Sequence, residues 1–139
     1  MVEQYLGVEE YSTYFSRLNN LRRRIGSELP IRPGMRVLDI ATGYGFFAIE
    51  IAKLDSSLNI IGIDISRNDV QHARKNVEDH GFTECIEITE MDATVMRFPN
   101  GHFDAVVNFL GFEDIHMTRG KAGIQKMFLE VNRVLRHDG

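Results

Sequence analysis

Residues 37–48 read VLDIATGYGFFA, an apolar strand running into a glycine-bearing turn and then a helix. That order brings backbone N–H groups against a nucleotide-like ligand. The carboxylate of Asp39, four residues before Gly43, selects among such ligands. A dinucleotide would set its anionic pyrophosphate near this turn, where an unpaired carboxylate repels it by about 1 kcal/mol in water and several times more in a drier cleft. A cationic ligand gains by the same arithmetic. The preference fails if residue 39 turns its side chain into the apolar interior, or if phosphates settle on the 41–46 loop.

Working outward, Met35 to Ala41 form the first buried strand, set off from the preceding chain by Pro30, Pro33 and Gly34. Before them, residues 7–28 carry Val8, Tyr11, Phe15, Leu18, Leu21 and Ile25 at helical spacing. Arg22, Arg23 and Arg24 fall in the last turns of that leading helix, where cations suit the dipole, and read as a solvated end. After the glycine turn, a helix from Tyr44 to Leu54 and a strand from Asn59 to Ile65 complete a βαβ unit. Ser66 is a good N-cap with Asp69 three residues on, Val70, Ala73 and Val77 trace an apolar helix face, and Gly81 stops it. Cys85 to Met91 and Phe103 to Phe109 give two more strands. Residues 118–136 form a last helix with Ile124, Met127, Phe128, Val131, Val134 and Leu135 on one face.

Strands alternating with helices at these separations predict an α/β fold, a parallel sheet with right-handed crossovers and helices on both faces. Ligands then bind at the carboxyl ends of the strands. Asp39, Asp64, Asp92 and Asn108 all fall at or near those ends, so one cleft can use all four. Asp64 lies nineteen residues beyond Gly45, the spacing at which a second-strand carboxylate accepts hydrogen bonds from ribose hydroxyls.

Composition narrows the function classes. A chain of 139 residues with 43% hydrophobic content makes one domain with a modest core. A net charge of -4 leaves no electrostatic footprint for nucleic acid, which is therefore disfavoured as a partner. The single cysteine, Cys85, excludes an internal disulfide, and no apolar run is long enough for a signal or a membrane span, which together fit a cytoplasmic protein. His72, His80, His102, His116 and His137 show no ligand spacing with Cys85 or with each other, so no metal site is expected.

The acid-plus-glycine turn resembles the first motif of the class I S-adenosylmethionine (SAM)-dependent methyltransferases, of the type that acts on small molecules. The resemblance covers about residues 30–139. It implies a Rossmann-like sheet of order 3-2-1-4 that lacks the last three strands of the family's seven, 3-2-1-4-5-7-6. Residues 1–139 would then be a single, C-terminally incomplete domain, with residues 1–30 as a leading helix. SAM becomes the cofactor and S-adenosyl-L-homocysteine (SAH) the product.

The resemblance also assigns residues. Asp39 favours the cationic amino-acid end of SAM, directly or through water. Ala41 stands where the family has its first glycine, leaving Gly43 and Gly45 to supply the close approach to the ligand. Asp64 meets the ribose, Ile65 packs on an adenine face, and Asp92 with Ala93 reads the adenine edge. The stretch FDAVVNFLGFEDI, residues 103–115, resembles the fourth motif, with Asn108 through Gly111 lining the transferring methyl. Its tetrad NFLG lacks the paired prolines and aromatic of methyltransferases acting on planar amino groups. Cys85 begins a strand away from the cleft, against a covalent cytosine-C5 mechanism.

Methyl transfer would proceed by SN2 displacement to an O, N, C or S nucleophile of a small-molecule acceptor, and no catalytic base is identifiable. Tyr11 and Tyr14 are candidates to close over the methionine end or simply to pack. His116 follows the fourth motif without a base role. The ending LEVNRVLRHDG is similar to the segment before the family's fifth strand, so strand four, with Val106, Val107 and Phe109, is expected to be a raw edge that a homodimer could cover. Two alternatives share the pattern. GYGFFA also satisfies G-x-G-x-x-A, the mark of an NAD-dependent oxidoreductase, and a SAM-binding module without turnover is compatible with the missing strands.

Overall fold

The strand that carries Asp39 lies in the interior of a four-stranded parallel sheet. The structure, a computed structural model, describes residues 8–137. The strands are β1 (Arg36–Ile40), β2 (Asn59–Asp64), β3 (Ile86–Glu90) and β4 (Ala105–Val107), in the order β3-β2-β1-β4. The helices are α1 (Val8–Glu28), α2 (Phe46–Ala52), α3 (Arg67–Asp79) and α4 (Phe112–Val134). Both the order and the parallel pairing agree with the sequence expectation.

Strand alternation divides the core between the two faces of the sheet. Val37, Ile60, Ile86 and Ile88 pack with Phe47, Ile51, Val70 and Val77 of α2 and α3. Leu38, Ile40 and Ile63 face the other way, onto Met127, Val134 and Phe103. Helix α1 contributes through Ile25, which packs against the first cluster. The side chains of Val8, Tyr11, Tyr14 and Phe15 fall outside the described residues, and with them the expectation that the two tyrosines form a lid.

Helix α3 is built as its residues dictate: the Ser66 side chain accepts from the Asp69 N–H at 3.2 Å, and Gly81, at φ 77°, ends it. Helix α2 is shorter than expected because Gly45, at φ 82°, occupies the N-cap position. Its seven residues bury five.

The last third of the chain departs further. Strand β4 has three residues where seven were expected. Helix α4 begins at Phe112 and is broken at Gly120, whose φ of 67° and ψ of -168° are open to glycine alone. Phe128 belongs to the outward side, 54% exposed, although Met127 and Val134 of the same expected face are buried. At a helical step of 100°, residues 127 and 128 diverge too far to share a narrow interface.

The expected raw edge is also partly covered. Phe103 donates to the Val134 carbonyl at 2.9 Å and accepts from the Arg136 N–H at 2.8 Å, a parallel bridge to Leu135 on the side of β4 away from β1. Phe109, expected on that edge, stacks on Phe47 with ring centres 5.1 Å apart.

Candidate active site

Strand β1 delivers Asp39 to the sheet's carboxyl end, and the turn after it holds the carboxylate in place. Asp39 is 1% exposed, and Thr42 Oγ1 donates to its Oδ2 at 2.7 Å. Thr42 reaches that position because Gly62, beside Asp39 on β2, has no side chain. A Cβ at residue 62 would lie 2.8 Å from Thr42 Oγ1 and 2.8 Å from Ile88 Cδ1. Burial pushes the Asp39 carboxyl up to about 7, helped by the nearby Asp64 charge and opposed by the Thr42 hydrogen bond and the Arg22 guanidinium. Asp39 is among the residues that line a cavity of about 670 Å³ at the carboxyl ends of the strands, within the range of small-ligand pockets.

Around this cavity the expected residues separate into those that face it and those that do not. Ala41, Gly43, Asp64, Ile65, Asp92 and Ala93 line it. Ala41 has φ 52°, a left-handed conformation that favours glycine, so it carries backbone strain. Gly43, at φ 57°, has nothing within 4 Å of its would-be Cβ and leaves open space at the cavity wall. Ile65 is 46% exposed and presents an apolar face to the cavity.

Asp64 accepts from the Gly43 N–H at 2.9 Å and from the Ser66 N–H at 2.9 Å, one on each oxygen. Burial raises its pKa against those two bonds. Each oxygen keeps a further lone pair for a ligand hydroxyl. Asp92 binds the Thr94 N–H at 2.8 Å and the Thr94 hydroxyl at 2.7 Å through Oδ1. Its Oδ2 pairs with Arg119 Nη2 at 2.5 Å. Burial would raise the pKa of Asp92, but Thr94 and Arg119 outweigh it and hold the carboxyl below its ordinary value.

Gly45 and Asn108 also do structural work. A Cβ on Gly45 would come 3.3 Å from Ala73 Cβ, so the glycine permits a close approach to α3. Asn108 lies outside the wall. Its Nδ2 donates to the Ile40 carbonyl at 2.7 Å and its Oδ1 accepts from the Gly111 N–H at 3.0 Å, bracing the end of β4 against β1. Of the four residues expected to flank the methyl group, Phe109, Leu110 and Gly111 line the cavity.

Sequence reasoning missed Thr42, Asp114, Arg119 and Arg22. The Asp-x-x-Thr spacing of Asp39 and Thr42 was a legible signal for the first. The next two come from α4, whose start was placed too late. Arg22 was assigned to a solvated helix end, whereas the structure turns it onto the cavity wall. The physical reason is the docking of α1 against α2, which aims one arginine of the three inward.

Five carboxylates, Asp39, Asp64, Asp69, Asp92 and Asp114, line the cavity against two arginines, Arg22 and Arg119. Asp114 is raised by burial and by the charges of Asp64 and Glu113. Such a field favours a cation and opposes a diphosphate. Among the described residues no three His, Cys, Asp or Glu side chains converge as a metal site.

A family model described as a methyltransferase domain matches residues 37–139, beginning at β1 and taking in every strand. The chain belongs to the class I SAM-dependent methyltransferases. Among curated relatives, this methyltransferase domain is 30% identical over 119 residues to the ubiquinone/menaquinone biosynthesis C-methyltransferase of Geotalea uraniireducens, covering 85% of the chain and 48% of that protein. It is 30% identical over 115 residues to a sterol 24-C-methyltransferase of Gibberella zeae, covering 83% of the chain and 28% of the relative. A SAM-dependent methyltransferase of Aquifex aeolicus shares the fold, with a TM-score of 0.70 at 22% identity over 83% of this chain and 58% of that one. The methyltransferase domain thus spans half or less of the length of these two curated relatives. SAM is the cofactor of the family, and the cavity fits it: open space at Gly43, lone pairs on Asp64, and an acidic floor under the turn.

Proposed function

We propose that this methyltransferase domain binds SAM in the acid-lined cavity and directs its methyl group to a nucleophilic O, N, C or S atom of a small molecule. SAM supplies a methyl already activated by its sulfonium, and SAH is the product. Asp39 faces the ammonium of the amino-acid end, Asp64 the ribose hydroxyls, Ile65 an adenine face, and Asp92 with Ala93 the adenine edge. Phe109, Leu110 and Gly111 form the wall beside the reacting centre. The residues need only hold the acceptor in line and exclude water, an arrangement worth up to about 7–11 kcal/mol when geometry is good. No side chain is assigned as a base.

The observation that carries the reading is the excess of carboxylates around a nucleoside-sized cavity at the carboxyl ends of β1, β2 and β3. A small-molecule acceptor is supported by the two curated relatives, whose names specify ubiquinone or menaquinone biosynthesis and a sterol. The apolar wall given by Phe46, Phe109 and Met117 suits such acceptors.

Residues 1–139 act as one SAM-binding domain in a cytoplasmic setting. Among the described residues no helix is long and apolar enough to cross a membrane. A second copy pairing along β4 would have to use Val106 and Val107, since Phe103 is already bridged to Leu135. Calorimetric titration with SAH and with NADH tests the cofactor assignment. Binding of SAH at micromolar concentration with no response to NADH is expected, and the reverse result overturns it.

A further inference from the structure

Helix α4 kinks at Gly120, and the kink seats the side chain just before it. A Cβ on Gly123 would overlap Arg119 Cβ and lie 3.3 Å from Arg119 Cγ and 3.9 Å from Thr94 Cγ2. The absent side chain therefore leaves Arg119 room to fold back beside Thr94. From that seat its Nη2 donates to Asp92 Oδ2 at 2.5 Å, across 27 positions of chain.

The contact ties two walls of the cavity together. Asp92 belongs to the side assigned to adenine, whereas Asp114, Met117 and Thr118, from the same first part of α4 as Arg119, line the opposite side. Among its described side chains, that segment buries Ile115, so the arginine is a principal hold on its position. Thr94 donates twice to Asp92 Oδ1, through its N–H and its hydroxyl. With Arg119 on Oδ2, three of the four lone pairs of the carboxylate are engaged, and one on Oδ2 remains for an N–H of a ligand.

The pair is only partly shielded, with the Arg119 side chain 45% exposed and that of Asp92 25%. Solvent screening and the entropy of a long side chain keep such a pair weak. A purine ring laid against Asp92 displaces the screening water, and the attraction between charges already in contact then rises.

We propose that Arg119 is a positioning residue that acts through Asp92, drawing residues 112–119 onto the site when the adenine end of the cofactor is occupied. The proposal rests on the SAM reading above and extends it from the cofactor to the acceptor wall. A loaded site thereby acquires a fixed wall for the acceptor, and an empty one has a looser wall.

The test is amide hydrogen exchange of the full chain, free and saturated with SAH, as wild type, Arg119→Gln, Arg119→Lys and Gly123→Ala. Two sets of amides are followed, those of the 41–45 turn and those of residues 115–119. In the wild type SAH should slow both, the second by about tenfold, at the low end for a hydrogen bond between charged groups. Arg119→Gln should keep the slowing at the turn and cut that at 115–119 to within about twofold. Arg119→Lys should restore part of it, which simple packing by the side chain would not require. Gly123→Ala keeps the arginine but fills its seat with a residue that favours helix. It should uncouple the two sets as the glutamine variant does, which keeps the test open if that variant folds poorly. Slowing at 115–119 that persists in Arg119→Gln, or that is missing in a wild type that binds SAH, overturns the proposal and leaves the SAM reading standing. A wild type that binds no SAH overturns both.

Discussion

The β1–α2 turn and the β4–α4 connection end adjacent strands of one sheet and hold the same cavity by opposite means. The first spends five residues, 41–45, between strand and helix and fixes its key carboxylate through a buried contact, Thr42 to Asp39, made possible by a missing side chain at Gly62. The second relies on one bridging amide, Asn108, and then runs into a helix whose first part, among the described side chains, buries Ile115 and ends at the Gly120 break. Leu110, at φ 60° and 65% exposed, and Met117, at 75%, mark it as the looser wall. A cleft built this way has one closely braced wall and one that is more exposed.

The comparison is most sharply tested at Asp39. Its carboxyl titrates near 7 when folded and near 3.8 when unfolded, so through that interval the folded chain holds a proton the unfolded chain has lost. Stability should therefore fall as pH rises from about 4 to 7, by about 4 kcal/mol at full extent. Asp39→Asn, which can keep the Thr42 contact, should flatten that decline in urea melts taken across the interval. In the same variant SAH affinity should drop at least tenfold at pH 8 and lose its rise between pH 6 and 8, because a bound cation favours the ionised carboxylate. A wild-type stability profile without the decline would remove the buried acid from the account.

Asn108→Ala probes the other wall. With the Ile40 carbonyl and Gly111 N–H deprived of partners, the loss in denaturant melts should be about 2 kcal/mol, while SAH affinity stays within about threefold, consistent with a brace outside the wall. A much larger affinity loss would return Asn108 to the ligand-contact role its position in the sequence suggested. The smallest effect is expected at Ala41. Replacement by glycine relieves a left-handed residue but adds freedom to the unfolded chain, for a net gain of about 0.5 kcal/mol in the same melts. A net loss would mean that the Ala41 methyl packs productively on the neighbouring chain near Gly111.

Legibility followed the distance over which each feature is specified. Strands β1, β2 and β3 were read to within one residue at each end because Val37, Leu38, Ile40 and Ile60 to Ile63 form short apolar runs between turn residues. The Ser66 cap and Gly81 stop were equally local. The start of α4 was misplaced where Gly120 interrupts the helical period, so that residues before and after it follow different phases, and Phe128 turned outward because it lies one helical step of 100° from the buried Met127. The structural contacts of Gly45 and Asn108 were missed for another reason: glycine at a turn and a polar residue at a strand end look the same whether they face a ligand or a neighbouring helix.

By itself, the order of residues determined the parallel sheet and the carboxylates at its ligand-binding edge, because alternation, turn chemistry and crossover handedness act over short stretches of chain, while the 3-2-1-4 order came from the family resemblance. Only the packed structure decided that Thr42 holds Asp39, that Gly62 makes the room, that Asn108 braces β4 against β1, and that Arg22 faces inward. Those outcomes depend on which surfaces meet when α1 docks on α2 and β4 settles beside β1, contacts between residues far apart in the chain that no local pattern encodes.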